Sequence, residues 1–271
     1  MSASGPGQFG QFAGQAVDEA TQTAWKHAAA EAAVREVSDG AIVGLGTGST
    51  AEGMLHALAA RVSQGLRMRG VATSERTQTL AQSLGIPMAA LDEVDHLDLS
   101  FDGADEVILP TLDLLKGRGG ALLREKLVAA SSRYRIILVD ATKITRTLGV
   151  GAAIPVEVET FGWRHTAARL AAPGCHITRR AQLAHPGDPA DAPFLSDGGH
   201  YILDLLFDQP PDIPAVAARI KAITGVVEHG LFLGMTERVY IGGPDGVRYA
   251  DRGRPASIPR TPSRTSRLSV S

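Results

Sequence analysis

Cysteine is almost missing from this 271-residue chain: Cys175 stands alone, so no intrachain disulfide can form and a reducing compartment is expected. An excess of one charge is missing too. A formal net charge of −2 provides no basic surface for nucleic acid or for an acidic membrane. No stretch approaches the ~20 consecutive apolar residues of a membrane span. The opening MSASGPGQFGQFAGQ has neither a basic start nor an apolar run, so no secretory signal is expected. The eight histidines are scattered, and none makes a metal spacing such as H-E-x-x-H. No Ser-His-Asp arrangement is visible. These absences point to a cytoplasmic protein that binds neither nucleic acid nor membrane, with no metal and no covalent nucleophile.

What is present is enough apolar material, 44% of residues, for a full core in one large domain or two unequal ones. From Asp18 to Val37 the residues Trp25, Ala28, Ala29, Ala32, Ala33 and Val37 return at helical steps, with Lys26 beside that face. Taken alone, Lys26 reads as a surface lysine. Ala41 to Leu45 is an apolar strand that runs directly into Gly46-Thr47-Gly48-Ser49-Thr50, and Ala51, Met54, Leu55 and Leu58 mark the helix that follows. The first N–H groups of that helix are unpaired and carry partial positive charge, which suits a phosphate. Gly46 and Gly48 allow close approach, and Ser49 and Thr50 add hydroxyl donors. The loop lacks the lysine of a Walker A motif and the third glycine of a dinucleotide fingerprint. A tight turn with an N-cap is the plainer alternative.

Further strands are expected at Val71 to Thr73, Ile86 to Leu91, His96 to Phe101 and Arg135 to Val139, the last a continuous apolar run that reads as covered on both faces. Strands alternating with helices at this spacing argue for a Rossmann-like, mostly parallel sheet. After Ile154 the order becomes strand (154–160), helix (162–172), strand (175–182), strand (199–207), helix (213–223), strand (226–232), the ferredoxin-like split motif. Val239 to Ile241 and the Pro244-Asp245-Gly246 turn bring the chain back to the first part. The expectation is an α/β fold with a second, smaller ferredoxin-like α+β domain. Its boundaries are a disordered arm over 1–17, a Rossmann-like catalytic domain over 18–150 plus 236–250, the smaller domain over 151–235 and a disordered tail over 251–271. Residues 185–193 read as an exposed excursion, and the tail's five arginines as solvated.

The chemistry concentrates between Asp102 and Glu125, in DGADEVILPTLDLLKGRGGALLRE. Asp102 and Asp105 fall at the carboxyl end of a strand, where open α/β sheets place their sites. Lys116 and a Gly-Arg-Gly-Gly turn follow, and then Glu125 near the start of a helix. Proton carriers, a cation and free backbone donors in one place suit proton transfer beside a carbonyl. A solvated acidic turn and a helix N-cap form the plainer reading.

DGADE, KGRGGALLREK, VDATK and the upstream GLGTGST resemble, in order and spacing, the four signature segments of ribose-5-phosphate isomerase, type A. The similarity runs from about Lys26 to about Val247. It implies interconversion of D-ribose 5-phosphate and D-ribulose 5-phosphate in the non-oxidative pentose phosphate pathway, through an enediolate and without a cofactor. Glu125 would be the base between C2 and C1, its pKa raised by partial burial. Asp102 would manage the hydroxyl proton, Asp105 would assist ring opening, and Lys116 would hold the oxyanion. Gly103 and Ala104 would bind substrate, and Gly117, Arg118 and Gly119 would contribute backbone donors. The phosphate would rest on Thr47, Gly48, Ser49 and Thr50 with help from Lys26 and Lys143, the latter an ordinary loop lysine when read alone. A homo-oligomer, dimer or tetramer, is also implied. Arg118 stands where many members have glycine, and an arginine disfavours positive φ. Two rivals remain: an aminosugar-phosphate deaminase, which would need a histidine beside these segments, and a non-catalytic sugar-phosphate sensor, which could dispense with the three carboxylates.

Overall fold

A computed structural model describes residues 17–109, 111–182 and 192–253; the expected arm lies almost wholly outside the described residues, as do most of the 185–193 excursion and most of the tail. The first helix, α1 (Glu19–Ala33), begins where Asp18 accepts the Thr21 N–H at 2.8 Å. It buries Ala29, Ala30 and Ala33. The helical pattern expected to reach Val37 closes as a 3-10 turn over Val34–Glu36, because Val37 swings to extended backbone and drops its side chain into the core. Then follow β1 (Ala41–Leu45), α2 (Ser49–Ser63), β2 (Met68–Ala72), α3 (Glu75–Ser83) and β3 (Leu99–Gly103). The strand expected at Ile86 to Leu91 is a single bridge between Met88 and Gly70. Pro87 accepts from Gly70 but has no N–H to donate, which limits the pairing there. The strand expected from His96 starts only at Leu99, since Asp98 uses its side chain to accept the Ile42 N–H at 2.9 Å.

The stretch read as an acidic turn contains two strands of three residues, β4 (Glu106–Ile108) and β5 (Asp113–Leu115). After them come α4 (Leu122–Ala130), β6 (Arg135–Asp140) and β7 (Ile144–Thr145). The second part supplies β8 (Ile154–Val158), α5 (Trp163–Leu170), β9 (Cys175–Arg179), β10 (Tyr201–Phe207), α6 (Ile213–Lys221) and β11 (Val226–His229). The single strand expected over 226–232 is broken at Gly230, and β12 (Leu231–Phe232) leaves for another sheet. A side chain at 230 would place its Cβ 2.1 Å from the Lys116 carbonyl oxygen. The chain ends its described part with the hairpin β13 (Arg238–Gly243) and β14 (Gly246–Asp251).

Six strands form the main sheet in the order β14-β13-β6-β3-β1-β2, parallel except for β14. Side chains alternate across it as a period of two requires. Ile136 and Leu138 of β6 enter the core shared with α1 and α2, while Ile137 and Val139 face the opposite cluster with Val107, Leu114 and Phe232. The apolar run is therefore buried on both faces. A separate antiparallel sheet, β11-β8-β10-β9, carries the split β-α-β-β-α-β order, and a third small sheet, β12-β5-β4-β7, lies between the two. Strand order reverses between β1 and β3. Their carboxyl ends open a crevice at this switch point, the usual ligand position in open α/β sheets.

Candidate active site

The glycine turn is pressed against the end of β3. Gly46 donates to the Phe101 carbonyl at 2.8 Å, and a Cβ on Gly46 would lie 2.2 Å from Asp102 Oδ1, so only glycine fits. Gly48, at φ 100, caps α2 without a side-chain hydrogen bond. The first N–H groups of α2 thus have no capping side chain and point into the crevice mouth as an anion site. Behind the turn, the Thr47 hydroxyl lies 2.7 Å from Thr73 Oγ1 and 2.9 Å from Ser74 Oγ, and Thr77 Oγ1 donates to the Gly46 carbonyl at 3.0 Å. This hydroxyl cluster was not foreseen from the sequence. Ser74 also caps α3, accepting the Thr77 N–H at 3.1 Å.

Beneath the crevice, Lys116 is 4% exposed and has three oxygen neighbours. Its Nζ donates to the Gly103 carbonyl at 2.7 Å and lies 2.9 Å from Asp102 Oδ2 and 3.1 Å from Glu125 Oε2. Asp102 Oδ1 accepts from the N–H groups of Gly103 at 2.8 Å and Thr47 at 3.3 Å. Glu125, on the first turns of α4, is 5% exposed, and its Oε2 has no partner with hydrogen-bond geometry despite the short ion-pair distance.

Two carboxylates against one ammonium, all buried, cannot all be comfortable ionised. Burial, and then the Asp102 charge, pushes the Glu125 carboxyl up to about 8, against the opposing pull of Lys116. Burial raises Asp102 as well. Burial alone pulls the Lys116 ammonium down, but Asp102 and Glu125 outweigh it and hold its pKa above the ordinary lysine value. The cluster therefore keeps a proton shared among its members near neutrality.

Over this floor lies a cleft of about 330 Å³. Its lining includes Lys26, Thr47, Gly48, Ser49, Thr50, Gly103, Ala104, Asp105, Lys116, Gly117, Arg118, Gly119, Glu125 and Lys143, together with Val139. Of the residues singled out in the sequence, Gly46, packed against Asp102, does not line it, and neither does Asp102, whose carboxylate is turned down onto Lys116 and lies one layer below. Asp105 Oδ2 accepts the Arg118 N–H at 3.1 Å. Positive φ falls on Gly117 and Gly120 and not on Arg118, so the arginine is accommodated without left-handed backbone. Lys26 reaches toward Asp140 Oδ2 at 3.8 Å, a fully buried oxygen with no hydrogen bond. Asp140 belongs to the VDATK segment but was not singled out. Its place at a strand's carboxyl end was the available signal. Among the described residues no group of three or more His, Cys, Asp or Glu is arranged to hold a metal ion. No described helix is long and apolar enough to cross a membrane.

Fold and cleft first define a class: an α/β enzyme built to move protons on a small anionic molecule. Comparison with known proteins narrows that class. The chain belongs to the ribose 5-phosphate isomerase A (phosphoriboisomerase A) family, whose profile matches residues 69–246. It is 50% identical over 223 residues to ribose-5-phosphate isomerase A of Synechococcus sp. (strain JA-3-3Ab), covering 82% of this chain and 94% of that relative. A solved D-ribose-5-phosphate isomerase in complex with phospho-erythronic acid superposes with a TM-score of 0.80 at 33% identity, over 85% of this chain and 99% of that one. Ribose 5-phosphate isomerase A from Methanocaldococcus jannaschii gives 0.78 at 35%, over 84% and 99%.

Proposed function

We propose that the protein interconverts D-ribose 5-phosphate and D-ribulose 5-phosphate through an enediolate, with Glu125 as the base that carries the proton between C2 and C1. The observation that carries this reading is the buried Asp102–Lys116–Glu125 cluster under a cleft whose mouth holds the bare N-terminus of α2. A base with a pKa near the working pH transfers protons best, and a glutamate held near 8 meets that need better than one at its ordinary 4.5. Lys116 supplies fixed positive charge for the oxyanion, Asp102 manages the hydroxyl proton, and Asp105 at the cleft wall assists opening of the furanose. The sugar lies along Gly103, Ala104 and the Gly117–Gly119 turn. The phosphate is held by Thr47 to Thr50, Lys26 and Lys143.

This reading also divides the chain into a catalytic part (18–150 with 236–250) and a smaller part (151–235), supported by the separate six-stranded and β11-β8-β10-β9 sheets, with β12 crossing over to pair with β5. It places the protein in the cytoplasm as a homo-oligomer, dimer or tetramer. The lone Cys175, unpaired and partly buried, suits a reducing compartment.

The test is conversion of D-ribose 5-phosphate by the purified protein in EDTA. Ketose formation is the expected result. Binding of the sugar phosphate without turnover would move the protein to the class of non-catalytic sensors.

A further inference from the structure

The Lys116–Gly120 turn is held from outside the catalytic half, by the antiparallel sheet. Arg180, just beyond the end of β9, donates from Nη1 to the carbonyls of Gly117 at 2.8 Å and Arg118 at 2.9 Å. Its other side is locked by Asp204 of β10, which accepts from Nε at 2.9 Å and from Nη2 at 2.5 Å. The guanidinium is fixed bidentately on the carboxylate and turns its third nitrogen, Nη1, onto the loop. The Phe194 ring, 5.9 Å from the Arg180 guanidinium, fills the space a Cβ of Gly120 would need, at 2.3 Å. Arg180 lines a neighbouring cleft and not the one that holds Glu125.

The peptide between Gly117 and Arg118 has both of its polar groups taken. Its carbonyl accepts from Arg180, and its N–H donates to Asp105 Oδ2 at 3.1 Å. Because a trans peptide points C=O and N–H in opposite directions, fixing the carbonyl aims the N–H. The next peptide follows the same rule: Arg180 holds the Arg118 carbonyl, so the Gly119 N–H points away from Arg180.

We propose that Arg180, locked by Asp204, is a positioning residue for isomerisation: it sets the peptide planes of the Lys116–Gly120 turn and through them the orientation of Asp105. The smaller sheet thereby acts on chemistry in a cleft that none of its own residues lines. The phosphate loop hangs from β1 and α2, outside this clamp, so the hold on the phosphate does not pass through it.

The inference rests on the isomerase reading. Wild-type turnover tests that reading, and the Arg180 variants test the clamp. For Arg180→Met, steady-state kinetics on D-ribose 5-phosphate should show kcat lowered about 30- to 100-fold with KM within about threefold, as loss of alignment by an ångström or so produces. Arg180→Lys keeps the charge but not the two-sided grip, and should recover part of the loss. Asp204→Asn should fall between wild type and Arg180→Met. A role in folding alone would lower the melting temperature and leave kcat of the folded protein unchanged. Wild-type kcat in a folded Arg180→Met variant overturns the proposal. Should that variant not fold, wild-type kcat in both Arg180→Lys and Asp204→Asn overturns it equally.

Discussion

Two lysines, Lys116 buried and Lys126 half-buried, lie against one phenylalanine ring, and they serve opposite ends. Lys116 Nζ lies 5.5 Å and Lys126 Nζ 4.7 Å from the centre of Phe232. Lys126 donates to Glu228 at 2.9 Å and to the carbonyls of His229 at 2.6 Å and Leu231 at 3.0 Å, so its three donors meet one charge and two neutral acceptors. Burial pushes Glu228 up, but the Lys221 hydrogen bond and the Lys126 charge win and hold it at about 2. Burial, then the Lys126 charge, drives His229 down to about 4, so it stays neutral. Lys116 instead faces two carboxylates, one with an unsatisfied oxygen, and Glu125 is pushed up to about 8. A matched set of partners gives a pin that fastens α4 to β11 and β12. A mismatched set leaves a proton to move. The same residue types, beside the same ring, are told apart by how well their charges balance.

Removing either lysine probes that contrast. Lys116→Met strands Asp102 and Glu125 in the interior without their cation, and should cost about 3–5 kcal/mol of stability and at least ~10²-fold in kcat. Urea melts and steady-state kinetics read both. Next in size is the pH response of the wild type. With the folded carboxyl near 8, kcat/KM should fall about tenfold per pH unit below that value as Glu125 takes up its proton. A plateau down to pH 5 would mean that no group with this pKa acts as the base. Lys126→Met should lower stability by about 2–3 kcal/mol while kcat of the folded protein stays within about threefold, because Glu228 keeps Lys221. A collapse of kcat there would erase the distinction between pin and proton carrier.

The last effect concerns stability against pH. Glu125 binds its proton more tightly folded, at about 8, than at an ordinary glutamate's 4.5. Its contribution to stability is therefore complete below about 4.5 and lost as pH rises through about 8. Glu125→Gln cannot ionise, so the stability of the wild type relative to this variant should decline across that window. Parallel curves would contradict the assigned burial cost.

Much of the architecture was legible because its signals are local. The β1 run ending in GTGST, the alternation through β3 and the order of elements after Ile154 each sit within a few residues of one another. What was not legible depends on distant partners. Strands β4 and β5 are too short to show a period of two, and they are completed by residues 144–145 and 231–232. Gly230 breaks a strand only because the Lys116 carbonyl lies against it. Arg180 sits 62 and 63 residues from the carbonyls it holds, and no local pattern announces such a contact. The depth of Glu125 was expected as partial. Its near-complete burial comes from α4 packing against β3 and β11, which no heptad or alternation reports.

The central claim is that a buried, charge-crowded glutamate is the base, and the kcat of Glu125→Gln tests it most directly. The side chain is nearly isosteric, and Lys116 keeps Asp102 as its partner. A variant that melts like the wild type should turn over D-ribose 5-phosphate about 10³-fold more slowly or less. A kcat within about tenfold of wild type would contradict the account and pass the proton to another group of the cluster.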